Sequence, residues 1–212
     1  KKIVKGFTTN PSLMRKAGAK DYKSYSKKIL KICKNKPVSL EVFADDYAEM
    51  KKQAIQINKW ARNVYVKVPV ANSKGVFMGK IIKELNSLNI KLNITAVYTV
   101  AQVKKINSCL DNKTFSIISI FSGRMADVGR DPVPIIKKAV QITKNKSKVE
   151  ILWASTREPY NYTQAKQLGC QIITMPPKVI EKVSNFGKSF DRLTKDTVKA
   201  FLQDSRKSRF KI

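Results

Sequence analysis

Short apolar, β-branched runs alternate along this chain with stretches whose apolar residues return at helical spacing. The runs at residues 3–9, 38–43, 64–70, 90–95, 115–119, 149–155 and 171–174 predict strands. Between them, Met50, Ala54, Ile57 and Ala61 recur every three or four residues, as do Phe77, Ile81, Leu85 and Leu88. Each set predicts one buried helix face. Asp131-Pro132 supplies a cap and first turn for a helix through Ile136 and Val140. The repeated strand–helix unit implies a parallel sheet with right-handed crossovers. With an eighth strand expected in front, the count fits an α/β fold of the (β/α)8 TIM-barrel type, lacking its first strand and helix in this chain. A doubly wound open sheet is the alternative. It often carries a Gly-rich nucleotide loop after its first strand, and none is present. Gly75 to Lys80 has a superficial likeness to a P-loop, but the glycines are too close and Ile81 stands where Ser or Thr is required. No Pro/Gly/Ser-rich linker interrupts the pattern. Residues 1–212 are therefore expected to form a single barrel domain with a C-terminal helical extension from about residue 192.

One strand breaks the apolar rule. Lys67 lies within Val64-Tyr65-Val66-Lys67-Val68-Pro69-Val70. An ammonium among valines is costly, unless the surroundings leave the amine neutral and free to attack a carbonyl. The plainer alternative is a lysine at a strand end that reaches water. Polar residues at similar places in the neighbouring runs favour the first. In a parallel barrel the C-terminal strand ends line one catalytic face. Those ends carry Thr8, Thr9 and Asn10 on the first run and Glu41 on the second, opposite Leu40 and Val42. Asn93 and Thr95 share a face of the fourth, Ser119 ends the fifth with Phe121 and Arg124 beyond it, and Ala154-Ser155-Thr156-Arg157 closes the sixth. Together they place a carboxylate, an amine, two amides and several hydroxyls around one cavity. The arginines and Ser155 follow late strands, where barrel phosphate sites commonly lie. The chemistry suggested is amine catalysis on a phosphorylated carbonyl compound.

Composition narrows the alternatives. The 212 residues include no histidine and three widely spaced cysteines, Cys33, Cys109 and Cys170. That pattern argues against a zinc site and a disulfide framework, and for a reduced, cytoplasmic setting. It also leaves acid–base work to Asp, Glu, Lys, Tyr or water. No run approaches the roughly 20 apolar residues of a membrane span, and no secretory signal is seen. The net charge of +28 raises nucleic-acid binding as another class of function. The positive charge is mainly lysine spread along helices, however, whereas base readout favours arginine. Steering of phosphorylated metabolites suits such a surface equally well. The chain opens on Lys1, not methionine, at the apparent start of a strand, so an upstream segment is expected.

Gly6-Phe7-Thr8-Thr9-Asn10-Pro11-Ser12-Leu13 resembles the signature of the transaldolase family. Val66-Lys67-Val68-Pro69-Val70 is similar to its Schiff-base lysine strand, and Asn93-Ile94-Thr95 with Ala101-Gln102, Phe121 through Asp127, and Ala154-Ser155-Thr156-Arg157 are similar to three more motifs. The resemblance runs in order through nearly the whole chain. It implies a (β/α)8 barrel, no cofactor, and transfer of a dihydroxyacetone unit between sugar phosphates in the pentose phosphate pathway. Lys67 would form the iminium, and Glu41 with Thr95 would activate a water for proton transfer. Asn10 and Asn93, supported by Thr8 and Ser119, would hold the bound hydroxyls, and Arg124, Ser155 and Arg157 the phosphate. Fructose-6-phosphate aldolases, which release free dihydroxyacetone, belong to the same family. Glu41 and Phe121 stand where those aldolases carry glutamine and tyrosine, which favours the transferase. By analogy with the small-subunit branch, a homo-oligomer of five or ten chains is expected. One departure is that the family's acid–base aspartate, on a strand about 20 residues before the Thr-Thr-Asn-Pro motif, has no counterpart among the seven residues preceding Thr8.

Overall fold

The computed structural model describes residues 4–208. Two compact units divide the chain, Lys1–Met175 and Pro176–Ile212. In the first, strands and helices alternate: β1 (Phe7–Thr8), α1 (Pro11–Lys16), α2 (Tyr22–Cys33), β2 (Val38–Glu41), α3 (Tyr47–Asn58), β3 (Val64–Pro69), α4 (Gly79–Ser87), β4 (Leu92–Val97), α5 (Val100–Cys109), β5 (Ser116–Ile120), α6 (Ser122–Asp127), α7 (Val133–Thr143), β6 (Val149–Trp153), α8 (Tyr160–Gln167) and β7 (Ile172–Ile173). The seven strands form one sheet in sequence order, and every pair is parallel. The sheet curls until the hydroxyls of Thr8 and Thr174, at the ends of its first and last strands, meet at 2.7 Å. This curled parallel half-barrel is the α/β architecture expected from the sequence rhythm.

Alternation along each strand sorts the side chains. Leu40, Val66, Val68, Ile94, Ile118 and Ile120 face the helices and pack with Met50, Ile57, Ile81, Leu85, Ile106 and Ile136. A smaller apolar group, Tyr65, Ile117, Leu152 and Ala154, fills the inside of the curl. Each buried aliphatic side chain contributes about 1.5–3 kcal/mol relative to exposure. Helix starts are fixed by side-chain caps where the sequence supplies them: Asn10 on α1, Asp21 on α2, Asp46 on α3, and the reciprocal Thr99–Gln102 capping box on α5.

Several boundaries differ from the sequence expectation, each for a local reason. The first strand shrinks to Phe7–Thr8, and Ile3 lies outside the described residues. The second stops at Glu41, because the backbone N–H groups of Phe43 and Ala44 donate to the Gln53 side chain and draw the chain off the sheet. The fourth starts two residues late, since the Ile90 N–H still closes a turn on the Leu85 carbonyl. It ends at Val97 after a register shift beyond Ile94, with Ala96 at φ 58°. Of the expected helical positions, Leu88 falls at the end of α4 and is exposed, its place in the core taken by Ile82. Ala61 lies beyond α3. The N-cap of α7 is Pro132; Asp131, one residue earlier, accepts from the Val133 N–H at 2.9 Å.

Lysines do structural work at the strand-entry end. Lys36, just before β2, donates to the Val4 carbonyl at 2.8 Å. Lys91, before β4, donates to Arg62 at 2.5 Å and lies over the Tyr65 ring. Ahead of β6, Lys146 reaches the carbonyls of Asn107 and Leu110, and Lys148 that of Lys113. Asn107 and Leu110 lie at the carboxyl end of α5, so Lys146 complements the dipole there and fills orphan acceptors.

In the second unit, α9 (Pro177–Val183) and α10 (Phe190–Ser208) are helical. Asp196 pairs with Lys188 at 2.9 Å and with Arg192 at 3.1 Å. Among the described residues, no helix is long and apolar enough to cross a membrane.

Glu150 occupies an inward position of β6, where burial raises its carboxyl above the ordinary range. A raised carboxyl pKa means the folded state binds its proton more tightly than the unfolded one. The ionised side chain therefore costs stability at neutral pH, and that cost fades as pH falls through the folded value toward the ordinary one. Glu150→Gln is expected to raise the melting temperature at pH 7 by a few degrees, with the gain lost in acid. A gain that is the same at both pH values would contradict this origin.

Candidate active site

The polar residues on the inside of the curl form two connected groups. The first centres on Lys67, only 7 % exposed. Register places it opposite Glu41 of β2 on one side and Asn93 of β4 on the other. Its Nζ donates to Glu41 Oε2 at 2.9 Å and to the Thr9 carbonyl at 2.6 Å. The sequence suggested an amine walled by valines. Those valines point outward, and the amine itself meets a carboxylate and a carbonyl. Thr95 Oγ1 lies 3.5 Å from the other Glu41 oxygen. Beside this pair runs a buried relay, in which Ser119 Oγ donates to Asn93 Oδ1 at 2.6 Å and Asn93 Nδ2 donates to Ser39 Oγ at 3.0 Å. Ser39 was not singled out in the sequence, although it shares a strand face with Glu41, two residues on.

Loops after the second and third strands are tied together over these residues. Asp45 accepts from the Ser73 N–H at 2.7 Å and hydroxyl at 2.6 Å. Those bonds, the hydroxyl first, hold its carboxyl below the usual range. Thr8 and Asn10 are otherwise engaged in this state. Thr8 Oγ1 meets Thr174, and Asn10 Oδ1 accepts the Leu13 N–H at 2.8 Å as the cap of α1, which leaves its amide N–H groups available.

The second group sits beyond β5 and β6. Phe121 packs against the interior cluster, stands edge-to-face with Tyr98 at 5.9 Å, and carries the Arg124 guanidinium over its ring at 5.5 Å. Arg157 is held by Asp127 through a fork, Nε to Oδ1 at 2.9 Å and Nη2 to Oδ2 at 2.5 Å. The hydrogen bonds lower the Asp127 carboxyl and raise the Arg157 guanidinium. Both residues are half-exposed, so solvent screens the pair. Tyr98, Arg124, Asp127, Arg130 and Arg157 line one open cavity of about 870 Å³. Asp127, within the fourth family-like motif, was not assigned a role from sequence. Its hold on Arg157 depends on a fold-back between α6 and the loop after β6.

That fold-back is unusually close. Ser155 adopts φ 63°, a left-handed conformation costly for a residue with a Cβ. Gly123 lies against it, and its N–H donates to the Ala154 carbonyl at 3.3 Å. A Cβ at Gly123 would run into the Ser155 carbonyl.

The chain as a whole is similar to known proteins. The model of the transaldolase/fructose-6-phosphate aldolase family matches residues 1–212. A protein of Dehalococcoides mccartyi named probable transaldolase is 39 % identical over 179 residues, covering 84 % of this chain and 79 % of its own. One of the same name from Herpetosiphon aurantiacus is 36 % identical over 182 residues, 85 % and 78 % of the two chains. Another, from a Thermoanaerobacter species, is 33 % identical over 211 residues, 99 % and 91 %.

Gly123→Ala is expected to cost about 1–3 kcal/mol of stability, as overpacking against fixed backbone does. Thermal melts check this, with Gly129→Ala, whose Cβ would meet open space but whose φ of 71° is strained, as the comparison for purely conformational cost. A fully stable Gly123→Ala chain would contradict the close packing.

Proposed function

The chain belongs to the transaldolase/fructose-6-phosphate aldolase family, and from that footing we propose that it is a transaldolase working through a Schiff base on Lys67. The observation that carries this reading is the buried Lys67 Nζ within 2.9 Å of Glu41. Glu41 can accept the proton that the ammonium must lose before the amine attacks the C2 carbonyl of a ketose phosphate. It can return that proton as the carbinolamine expels water. The resulting iminium draws in the electrons of the C3–C4 bond. An aldose phosphate leaves, and the three-carbon unit stays on Lys67 until a second aldose phosphate accepts it. Asn93, oriented by Ser39 and Ser119, is suited to hold a hydroxyl of that unit. Arg124, Ser155 and Arg157 are assigned to the phosphate, with Asp127 fixing the plane of the Arg157 guanidinium and leaving its other edge to bind.

Cleavage also needs a base for the C4 hydroxyl. The family resemblance assigns it to an aspartate on a strand ahead of β1. In this reading the sheet is the larger part of an eight-stranded barrel, and the added strand belongs at the seam between β1 and β7. Sugar phosphates are the substrates, and the pentose phosphate pathway is the setting. Assembly into a homo-oligomer and a cytoplasmic location are carried over from the sequence reading.

Reduction with borohydride in the presence of fructose 6-phosphate should leave a stable adduct on Lys67, and Lys67→Ala should leave none. A wild-type chain that is never labelled would remove the covalent mechanism. The aldolase alternative is separated by assaying free dihydroxyacetone without an acceptor sugar. A transferase stalls after one turnover, whereas continuous release would identify an aldolase.

A further inference from the structure

Glu41 stands at the very end of its strand, where one edge has lost its neighbour. On that edge β2 pairs with β1 at Val38 and Ser39 only, and Thr9 closes the ladder by donating its N–H to the Ser39 carbonyl at 3.1 Å. In a parallel strand, the N–H and C=O of one residue point to the same side. The groups of Glu41 therefore face the edge that β1 has already left. Both are met by a single atom. The Tyr22 hydroxyl oxygen accepts the Glu41 N–H at 2.9 Å and donates to the Glu41 carbonyl at 3.1 Å.

Tyr22 opens α2 on the Asp21 cap. Its ring is clamped edge-to-face by Phe43 at 4.5 Å and by Trp60 at 5.8 Å. Burial pushes its phenol up to about 12, so the proton needed for the second bond stays in place across the working range of any enzyme. The hydroxyl thus replaces one residue of a strand neighbour. Backbone angles at Glu41 set where its carboxylate falls. That carboxylate lies against Lys67 at 2.9 Å through Oε2 and near Thr95 at 3.5 Å through Oε1.

We propose that Tyr22 is a positioning residue for the Glu41–Lys67 pair, pinning the end of β2 so that the carboxylate is aligned for proton exchange with the amine. The catalytic half of this proposal rests on the Schiff-base reading above. The structural half, the hold on the Glu41 backbone, does not.

Two experiments separate the halves. Amide hydrogen exchange in the wild-type chain should find the Glu41 N–H protected, and Tyr22→Phe should speed exchange there more than at Val38 or Leu40. An unprotected wild-type amide, or exchange unchanged by the substitution, would overturn the proposal without touching the Schiff-base reading. The rate of borohydride-trapped adduct formation with fructose 6-phosphate is then compared in wild type, Tyr22→Phe, Glu41→Ala and the double variant. Tyr22→Phe keeps both ring contacts and loses only the two hydrogen bonds to Glu41, so it should stay folded with a melting temperature a few degrees below the wild type. Its kcat should fall about tenfold, with KM within twofold. In the Glu41→Ala background the same change should cost nothing further, because no carboxylate remains to be aligned. Losses that multiply independently would mean that Tyr22 only supports the fold, and would overturn its positioning role. A wild type that forms no adduct would instead sink the Schiff-base reading and the catalytic half with it.

Discussion

An amine brought inside a folded protein has to be met by something, and at Lys67 that requirement organises the neighbouring chain. A buried ammonium without partners costs several kcal/mol. Here the partners are the Glu41 carboxylate and the Thr9 carbonyl, supplied by the two strands that precede β3 in the sheet. The end of β1 must therefore turn its backbone toward Lys67, and β2 must end with a carboxylate facing inward. Removing the Glu41 carboxylate would leave the ammonium without its counter-charge.

The inside of the curl shows how such a site coexists with a core. Tyr65 and Ile117 each sit two residues before a polar residue on the same strand face, Lys67 and Ser119, which share the interior with Glu41 and Asn93. Every one of those four has a hydrogen-bond partner, so polarity is concentrated where it is satisfied. From the helices, the Tyr22 hydroxyl of α2 reaches the backbone of Glu41. The helices also supply the outer hydrophobic packing that lets the inner face be spent on chemistry. Phe121 joins the two regions, since its ring touches the apolar interior on one side and carries Arg124 on the other.

Much of this was legible in the sequence because parallel strands obey a two-residue repeat. Alternation sets Glu41 opposite Leu40 and Val42 and puts Asn93 with Thr95, while the shared catalytic face of parallel strand ends adds Lys67 and Ser119. What the repeat could not disclose were contacts made across it. Tyr22 belongs to none of the apolar sets that the sequence pattern marks, and its hydroxyl acquires meaning only when β1 stops short. The Thr9 carbonyl has no sequence signature at all. Asp127 lies 30 residues from Arg157, and the pairing depends on Gly123 allowing two backbones to touch. Strand ends were misplaced for the same reason. Gln53 pulls Phe43 off the sheet and Leu85 retains Ile90, and both effects come from helices that a strand pattern does not see.

The ammonium groups seated on carbonyls where chains enter β2, β4 and β6 give part of the high lysine content an architectural origin. A compact –NH3+ on a flexible stem can slip beneath a loop and satisfy one or two lone pairs there; a broad planar guanidinium has no such fit. Acetylation at these points would therefore loosen the strand-entry end of the curled sheet while leaving its opposite end chemically intact. Part of the positive charge thus acts as mortar, and its loss would register first as fraying of the turns that launch the strands.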